Sequence, residues 1–326
     1  MKNSIKSKVA VIGSGVWGLA ICQLLARNGN KVSVLSCFED EVKEINQKHN
    51  KAPFPILAST DFNAVVKEVE FIFVVVPSNA FSSVLNSLNE AKISNDVKIT
   101  ICSKGIEGKN LQLFSDFVDE ELPNNHYAIL SGPNFASEVS DNLPTTTTIA
   151  CKNKVAASEI ADVLRNKNFL PIISNDIIST QIFGSIKNIF AIGCGMIDGL
   201  ELGENLRAAL IVKGVLEAKL LIDKLGGEAT ENFISPAGLG DLFLTCSSKK
   251  SRNNSLGFAI GSGKKIKEIL SKGTTLEGFN AADLMIKFSK KHQVTLPLCE
   301  KINQILQGDF STQEIKTILS HIILSN

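Results

Sequence analysis

The chain has 326 residues, 44% of them hydrophobic and 21% charged, with a formal net charge of +1. That length accommodates two domains with a sizeable core, and the near-neutral balance excludes the broad basic footprint of a nucleic-acid-binding protein, so small molecules are the expected partners. Seven cysteines, odd in number and never in CxxC spacing, suggest neither a disulfide framework nor a zinc site and point to a reducing compartment. Residues 1–8 carry three lysines, but the apolar run that follows is short and ends in Gly13, unlike the core of a secretory leader. Runs such as 71–76 are too short to span a bilayer. The expectation is a cytoplasmic protein with no metal site and no nucleic-acid or membrane partner.

In chain order, KVAVIG (8–13) is a β-branched apolar run leading into Gly13-Ser14-Gly15-Val16-Trp17-Gly18. A helix-favouring segment (19–26) follows, closed by Asn28-Gly29, and KVSVL (31–35) reads as a second strand. Strand, GxGxxG, helix and strand within about 30 residues form the pattern that binds a dinucleotide. Gly13 permits the tight turn, Gly15 lets the backbone approach a pyrophosphate, and Gly18 lets the helix pack on the strand, while the helix N-terminus offers N–H groups to the phosphates. Trp17 borders this loop. The end of the second strand, Ser36-Cys37-Phe38-Glu39-Asp40, offers no arginine for a 2′-phosphate, and its acids come late for a ribose hydroxyl. That favours NAD, and the choice between NAD and NADP is left open to a lysine arriving from elsewhere in the chain.

Alternation continues for about 170 residues, with strands expected at 70–76, 97–102, 127–130, 145–151 and 169–173 and helices near 62–67, 81–91, 110–121 and 155–165. The stretch 51–55 reads as a loop. This is a doubly wound, mostly parallel α/β sheet, which places ligands at the carboxyl ends of its strands. Three such ends are polar or glycine-rich: Pro77-Ser78-Asn79, Ser103-Lys104-Gly105 and Ser131-Gly132-Pro133-Asn134.

From Asn175 onward helical periodicity replaces the strands. QIFGSIKNIFAIGCGMIDG (181–199) is apolar and glycine-studded with one cation, Lys187, near its middle. In a helix starting after Ser174 or Asn175, Lys187 has Phe183, Gly184, Phe190 and Ala191 as its neighbours, so it leaves from an apolar face. Such a lysine snorkels to water, pairs with a carboxylate, or lines a cleft where chemistry uses it. A long helix is expected over 204–225, with Val212, Leu216 and Leu220 at four-residue spacing and Gly226-Gly227 as its stop. Pro236 to Asp241 is turn-rich, Ser251-Arg252-Asn253-Asn254 follows, and helices are expected at 264–270, 280–292, 298–306 and 312–324. The domain boundary is placed at 177/178: residues 1–177 as the dinucleotide-binding domain and 178–326 as a helical substrate-binding and catalytic domain.

A dinucleotide domain followed by a lysine at the start of a helical domain suggests a dehydrogenase with lysine as acid/base, because hydride transfer at a carbinol carbon needs a partner for the oxygen's proton. The histidines compete poorly: His49 and His126 lie in or near loops, and His292 and His321 in ordinary helices.

Taken together, GSGVWG (13–18), VVVPSNAF (74–81), SKG (103–105), SGPNFA (131–136), IKNIFAIGCGMIDG (186–199), AGLGDLFLTC (237–246), SRNNSLG (251–257) and LEGF (276–279) resemble the soluble bacterial type of NAD(P)-dependent glycerol-3-phosphate dehydrogenase. The resemblance runs nearly end to end. It implies a Rossmann-like N-terminal domain, an all-helical C-terminal domain, and reversible reduction of dihydroxyacetone phosphate to sn-glycerol 3-phosphate for glycerophospholipid synthesis, by a homodimer. It assigns proton transfer to Lys187, with Lys104 touching both cofactor and substrate and Asp241 supporting the lysine. Substrate contacts fall to Gly132, Asn134, Asn188, Thr245, Ser251, Arg252 and Asn253, the last two as a phosphate clamp. Cofactor contacts fall to Gly13, Ser14, Gly15, Val16, Trp17, Gly18, Cys37, Lys104, Ala136, Arg252, Thr275 and Glu277. Val16 and Asn134 depart from the serine and the threonine or serine of many bacterial relatives. Competing readings are a β-hydroxyacid dehydrogenase of the 6-phosphogluconate or 3-hydroxyisobutyrate kind, which resembles the chain less in GLGD and SRN, and a non-catalytic nucleotide sensor, which has no need of Lys187, Asp241 and Arg252 together.

Overall fold

The computed structural model describes residues 6–49, 55–228, 232–270 and 277–325. Eight strands form one sheet in the order β3-β2-β1-β4-β5-β6-β7-β8. They are β1 (Lys8–Ile12), β2 (Lys31–Leu35), β3 (Ile56–Ser59), β4 (Phe71–Val74), β5 (Lys98–Ile101), β6 (Tyr127–Ser131), β7 (Thr145–Ala150) and β8 (Phe169–Ser174). Every pairing is parallel except β6 with β7. The strand order reverses at β1 and β4, the crevice where doubly wound sheets hold ligands.

The strands read as continuous apolar runs because both faces of the sheet are covered. Val9 and Val11 of β1 belong to one core cluster, and Ala10 and Ile12 to the other. Phe71 and Phe73 of β4 divide from Ile72 and Val74 in the same way. The covering helices are α1 (Val16–Arg27), α2 (Glu39–His49), α3 (Phe62–Val66), α4 (Phe81–Glu90), α5 (Phe114–Glu121), α6 (Ala136–Ser140) and α7 (Lys154–Leu164).

The doubly wound, mostly parallel sheet is as expected, with local differences. β3 falls where no strand was expected; it has four residues and a half-exposed pattern, too short to give a periodic signal. The helix α2 was missed because it is nearly all polar, and it places His49 in a helix rather than a loop. The helix expected from residue 110 begins at Phe114, and the expected N-cap residues Ser174 and Asn175 lie two residues and one residue too early for a helix that begins at Ile177. Ser174 instead accepts the Asp176 N–H through its hydroxyl, at 3.1 Å.

The chain divides into two compact units, 1–107 with 113–177, and 108–112 with 178–326. The second unit is helical. It is built on α8 (Ile177–Gly199) and α9 (Glu204–Leu225), followed by Asp241–Ser247, Arg252–Gly261, Ile266–Leu270, Glu277–Lys291, Pro297–Gln307 and Thr312–Leu324. α8 is long and apolar enough to cross a membrane, but 89% of its most apolar window is buried within the protein. The stripe Val212, Leu216 and Leu220 that marks α9 in the sequence lies on its exposed side. Its buried side is Leu210, Gly214, Glu217, Ala218, Leu221 and Ile222. Gly226, at φ 81°, ends α9 in the left-handed region.

Small residues set how close these helices come. A Cβ on Gly195 would run into the carbonyl oxygen of Asn254, and one on Gly199 into that of Phe258. From the other side, a Cβ on Gly257 would strike the Ile192 carbonyl and one on Gly261 the Met196 carbonyl. Two glycine pairs at four-residue spacing therefore interlock α8 with Arg252–Gly261, backbone against backbone. On another face of α8, a Cβ at Gly214 of α9 would come within 2.9 Å of the Phe190 ring. Glu217, 4% exposed, caps the helix Pro297–Gln307 by accepting the N–H groups of Leu298 and Cys299 at 2.5 and 3.2 Å. Burial pushes its carboxyl above the usual range.

Gly195→Ala should lower the free energy of unfolding by about 1–3 kcal/mol, the usual range for overpacking. Urea titration measures this, and an unchanged transition midpoint would contradict the close crossing.

Candidate functional site

In the second unit the apolar character of α8 forces the central question, because Lys187 is only 5% exposed. Its ammonium makes an ion pair with the carboxylate of Asp241, itself 2% exposed, and donates to the Thr245 hydroxyl at 3.2 Å. Asp241 and Thr245 are one helical turn apart and so share a face. The Thr245 hydroxyl lies 2.6 Å from the Asp241 carbonyl oxygen and 3.3 Å from its Oδ1. Ammonium, carboxylate and hydroxyl thus form a closed triangle within the helical unit. Asn188 is buried next in sequence to Lys187.

The turn-rich stretch before Asp241 is a π-helical turn, Pro236–Gly240. Ser235 braces it, accepting the Gly238 N–H at 3.0 Å and donating to the Asn232 carbonyl at 2.5 Å. Ser251 is buried and caps the next helix by accepting the Asn254 N–H at 3.3 Å. Arg252 follows at the exposed first position of that helix, and Asn253 is half-buried. A Cβ on Gly278 would strike the amide oxygen of Asn253, so the glycine of LEGF gives that side chain its room.

Sequence reasoning missed Asn254. It is 3% exposed and its amide donates to the Cys246 carbonyl at 2.9 Å, tying the start of the Arg252 helix to the end of the Asp241 helix. The glycines at 257 and 261 were also missed as partners of α8, although their four-residue spacing matches that of 195 and 199.

In the first unit the glycine loop sits at the carboxyl end of β1. Gly13 has φ 115°, and a Cβ there would strike the Val75 carbonyl oxygen; a Cβ on Gly18 would strike that of Gly13. Both glycines therefore close the turn and seat α1. Gly15 differs: beyond its chain neighbours, no atom of the described residues lies within 4 Å of its Cβ position. It is the N-cap of α1 with no side-chain cap, and the helix has no acid in its first turn. Open space over an uncapped helix N-terminus fits the phosphates of a dinucleotide. Val16 is 77% exposed at this mouth, and Trp17 packs against the core cluster. Cys37 is exposed just past β2.

The other strand ends are organised too. The Ser103 hydroxyl donates to the Val76 carbonyl at 2.6 Å and accepts the Val76 N–H at 3.2 Å, joining the ends of β4 and β5. Lys104 follows, half-buried, with Gly105 at φ 138°. Asn134 donates to Thr145 and Thr146 of β7 at 3.1 and 2.9 Å, and its buried amide oxygen above Gly132 has no hydrogen-bond partner among the described residues. Ala136 opens α6 and packs on the core. Thr275 lies outside the described residues, and Glu277 is the first residue of its helix.

A glycine-loop sheet unit in one chain with a helical unit that buries a lysine–carboxylate pair is the construction of a dinucleotide-linked oxidoreductase. The N-terminal and C-terminal models of NAD-dependent glycerol-3-phosphate dehydrogenase match residues 8–157 and 176–317. The chain belongs to the glycerol-3-phosphate dehydrogenase family. It is 35% identical over 314 residues to the glycerol-3-phosphate dehydrogenase [NAD(P)+] of Parvibaculum lavamentivorans, covering 92% of each chain. It is 36% identical to the Wolbachia pipientis wMel protein of the same name, covering 95% of this chain and 99% of the relative. The crystal structure of the Coxiella burnetii glycerol-3-phosphate dehydrogenase matches with TM-score 0.89 at 35% identity, covering 98% and 99%.

Asp241→Asn would leave the Lys187 charge buried without its counter-charge. It should cost about 3–5 kcal/mol of stability, whereas Thr245→Val, which removes one hydrogen bond, should cost about 0.5–1.5 kcal/mol. Denaturant unfolding of both variants checks the order, and a neutral Asp241→Asn would contradict it.

Proposed function

We propose that this chain reversibly reduces dihydroxyacetone phosphate to sn-glycerol 3-phosphate with a nicotinamide dinucleotide, and that Lys187 supplies the proton. The single observation that carries the reading is the buried Lys187–Asp241–Thr245 triangle, in a family whose named relatives are glycerol-3-phosphate dehydrogenases [NAD(P)+]. A buried ion pair adds little stability over packed apolar residues, so its presence in an apolar helix favours a chemical role.

When bound, the dinucleotide supplies the hydride that becomes the C–H bond of the carbinol. The protein must deliver a proton to the oxygen at the same carbon. Lys187 carries that proton as an ammonium. Asp241 holds the ammonium charged and oriented, and Thr245 fixes a second of its N–H directions, so Nζ stays in place while the charge on the substrate oxygen develops. In the reverse direction the neutral amine takes the proton back. Arg252 at the helix start, with Asn253 beside it, would clamp the substrate phosphate, the arginine through its planar fork, and the Ser251 cap flanks them. In the first unit, the 13–18 loop would hold the pyrophosphate on backbone N–H groups, while Lys104 and the unpartnered oxygen of Asn134 offer a cation and an acceptor at the strand ends. Asn188, Gly132, Val16, Trp17, Cys37 and Ala136 are assigned to the walls of these sites.

Lys187→Met should abolish most turnover of dihydroxyacetone phosphate while dinucleotide affinity, read by calorimetry, changes little; near-normal kcat would refute the assignment. Arg252→Ala should raise KM for the phosphate substrate by more than it weakens NADH binding. An equal or greater loss of NADH binding would instead move Arg252 to the dinucleotide site.

A further inference from the structure

A carboxylate that neither the sheet nor the proton transfer requires joins the glycine loop to the end of β2. Glu41, in the first turn of α2, accepts hydrogen bonds at Oε2 from the hydroxyls of Ser14 at 2.6 Å and Ser36 at 2.7 Å. Ser14 lies between the first two glycines of the loop, and Ser36 is the residue immediately after β2. The Gly13 N–H donates to the Leu35 carbonyl at 3.2 Å, so loop and strand end are held side by side. The two serine donors hold the Glu41 carboxyl below the usual range, Ser14 contributing most, so it is ionised at neutral pH.

The neighbouring charges reinforce this. Glu39 accepts from the Thr60 hydroxyl, just past β3, at 2.8 Å. Asp40 is paired with Lys43 at 3.4 Å, and Lys43 is the only cation in the segment 36–43. The hydroxyls of Ser14 and Ser36 are the groups that a phosphate at the strand end would recruit, and both are already given to a carboxylate.

In doubly wound dinucleotide-binding sheets the adenosine ribose meets the chain at the end of the second strand. We propose that Glu41 is the specificity-determining residue of this site, accepting a hydrogen bond from a free ribose 2′-hydroxyl and rejecting the 2′-phosphorylated dinucleotide. The inference rests on the dinucleotide reading above and deepens it. A 2′-hydroxyl gains a charge-assisted hydrogen bond to the carboxylate. A 2′-phosphate meets like charge, and must also displace Glu41 from Ser14 and Ser36. A role in the helix dipole alone would be shared with Glu39 and Asp40, and would leave the cofactor ratio untouched when Glu41 is changed.

Calorimetric titration of the full chain with NADH and NADPH, and with ADP-ribose and 2′-phospho-ADP-ribose, tests the assignment without reference to turnover. The wild-type protein should bind each unphosphorylated ligand about tenfold or more tightly than its 2′-phosphorylated counterpart, the effect of one charged hydrogen bond gained or lost. Glu41→Gln should narrow that ratio at least about threefold, by weakening the first ligand and strengthening the second. Glu41→Ser, which removes the carboxylate with a shorter side chain, should narrow it in the same sense if the glutamine variant folds poorly. Equal binding of both dinucleotides by the wild type, a preference for NADPH, or a ratio unmoved in whichever variants fold would overturn the Glu41 assignment while leaving the dinucleotide reading intact. Failure of the wild type to bind either dinucleotide would overturn both.

Discussion

Lys187 is the constraint around which the second unit is arranged. An ammonium 5% exposed on an apolar helix stays charged only beside a carboxylate equally withdrawn from water, and Asp241, at 2%, is that carboxylate. The pair fixes where the Asp241–Ser247 helix lies against α8. Asn254 then fixes the next helix to the first through the Cys246 carbonyl. The glycines 195, 199, 257 and 261 bring that next helix back against α8 at backbone distance. The result is a ring of three helices in which the proton-bearing lysine and the exposed start of the Arg252 helix have little freedom relative to each other. Such rigidity suits a group that must meet a charge developing on a small substrate.

The two units offer an anion different donors. In the first, the open space over Gly15 at an uncapped helix N-terminus offers backbone N–H groups, and no acid in the first turn of α1 opposes a phosphate there. In the second, a guanidinium at an exposed helix start offers a fork of side-chain donors, anchored by a buried serine cap and a buried asparagine. Backbone donors suit a pyrophosphate that the chain passes closely; an arginine suits a terminal phosphate on a small molecule. Glu41 adds a negative charge beside the first arrangement, reaching the loop from the first turn of α2 through the Ser14 hydroxyl.

Much of this was legible in the sequence. The buried strands and α1 were readable because sheets covered on both faces need unbroken apolar runs, and the glycine loop because its three positions have distinct steric duties. Lys187 stood out because a cation in an apolar run demands a reason. What escaped detection depends on contacts between distant segments. Nothing in Asn254 itself shows that its amide meets Cys246, and Gly257 and Gly261 gain meaning only once Gly195 and Gly199 are known to face them. Glu41 lies beyond the strand-end stretch 36–40 in sequence, and only the first turn of α2 carries its carboxylate back to Ser14 and Ser36. The stripe on α9 marked a helix correctly, and it lies on the exposed side because both sides of that helix carry apolar residues.

In the proposed reaction an amine at the position of Lys187 Nζ, held by Asp241 and Thr245, transfers the proton, and chemical rescue probes that step. In Lys187→Ala, reduction of dihydroxyacetone phosphate should be restored in a saturable way by small primary amines such as ethylamine and propylamine. The restored rate should depend on amine basicity and should be lost when Asp241 is also changed to Asn. A Lys187→Ala protein that turns over unaided, or one whose rescue is indifferent to both amine basicity and Asp241, would contradict the account.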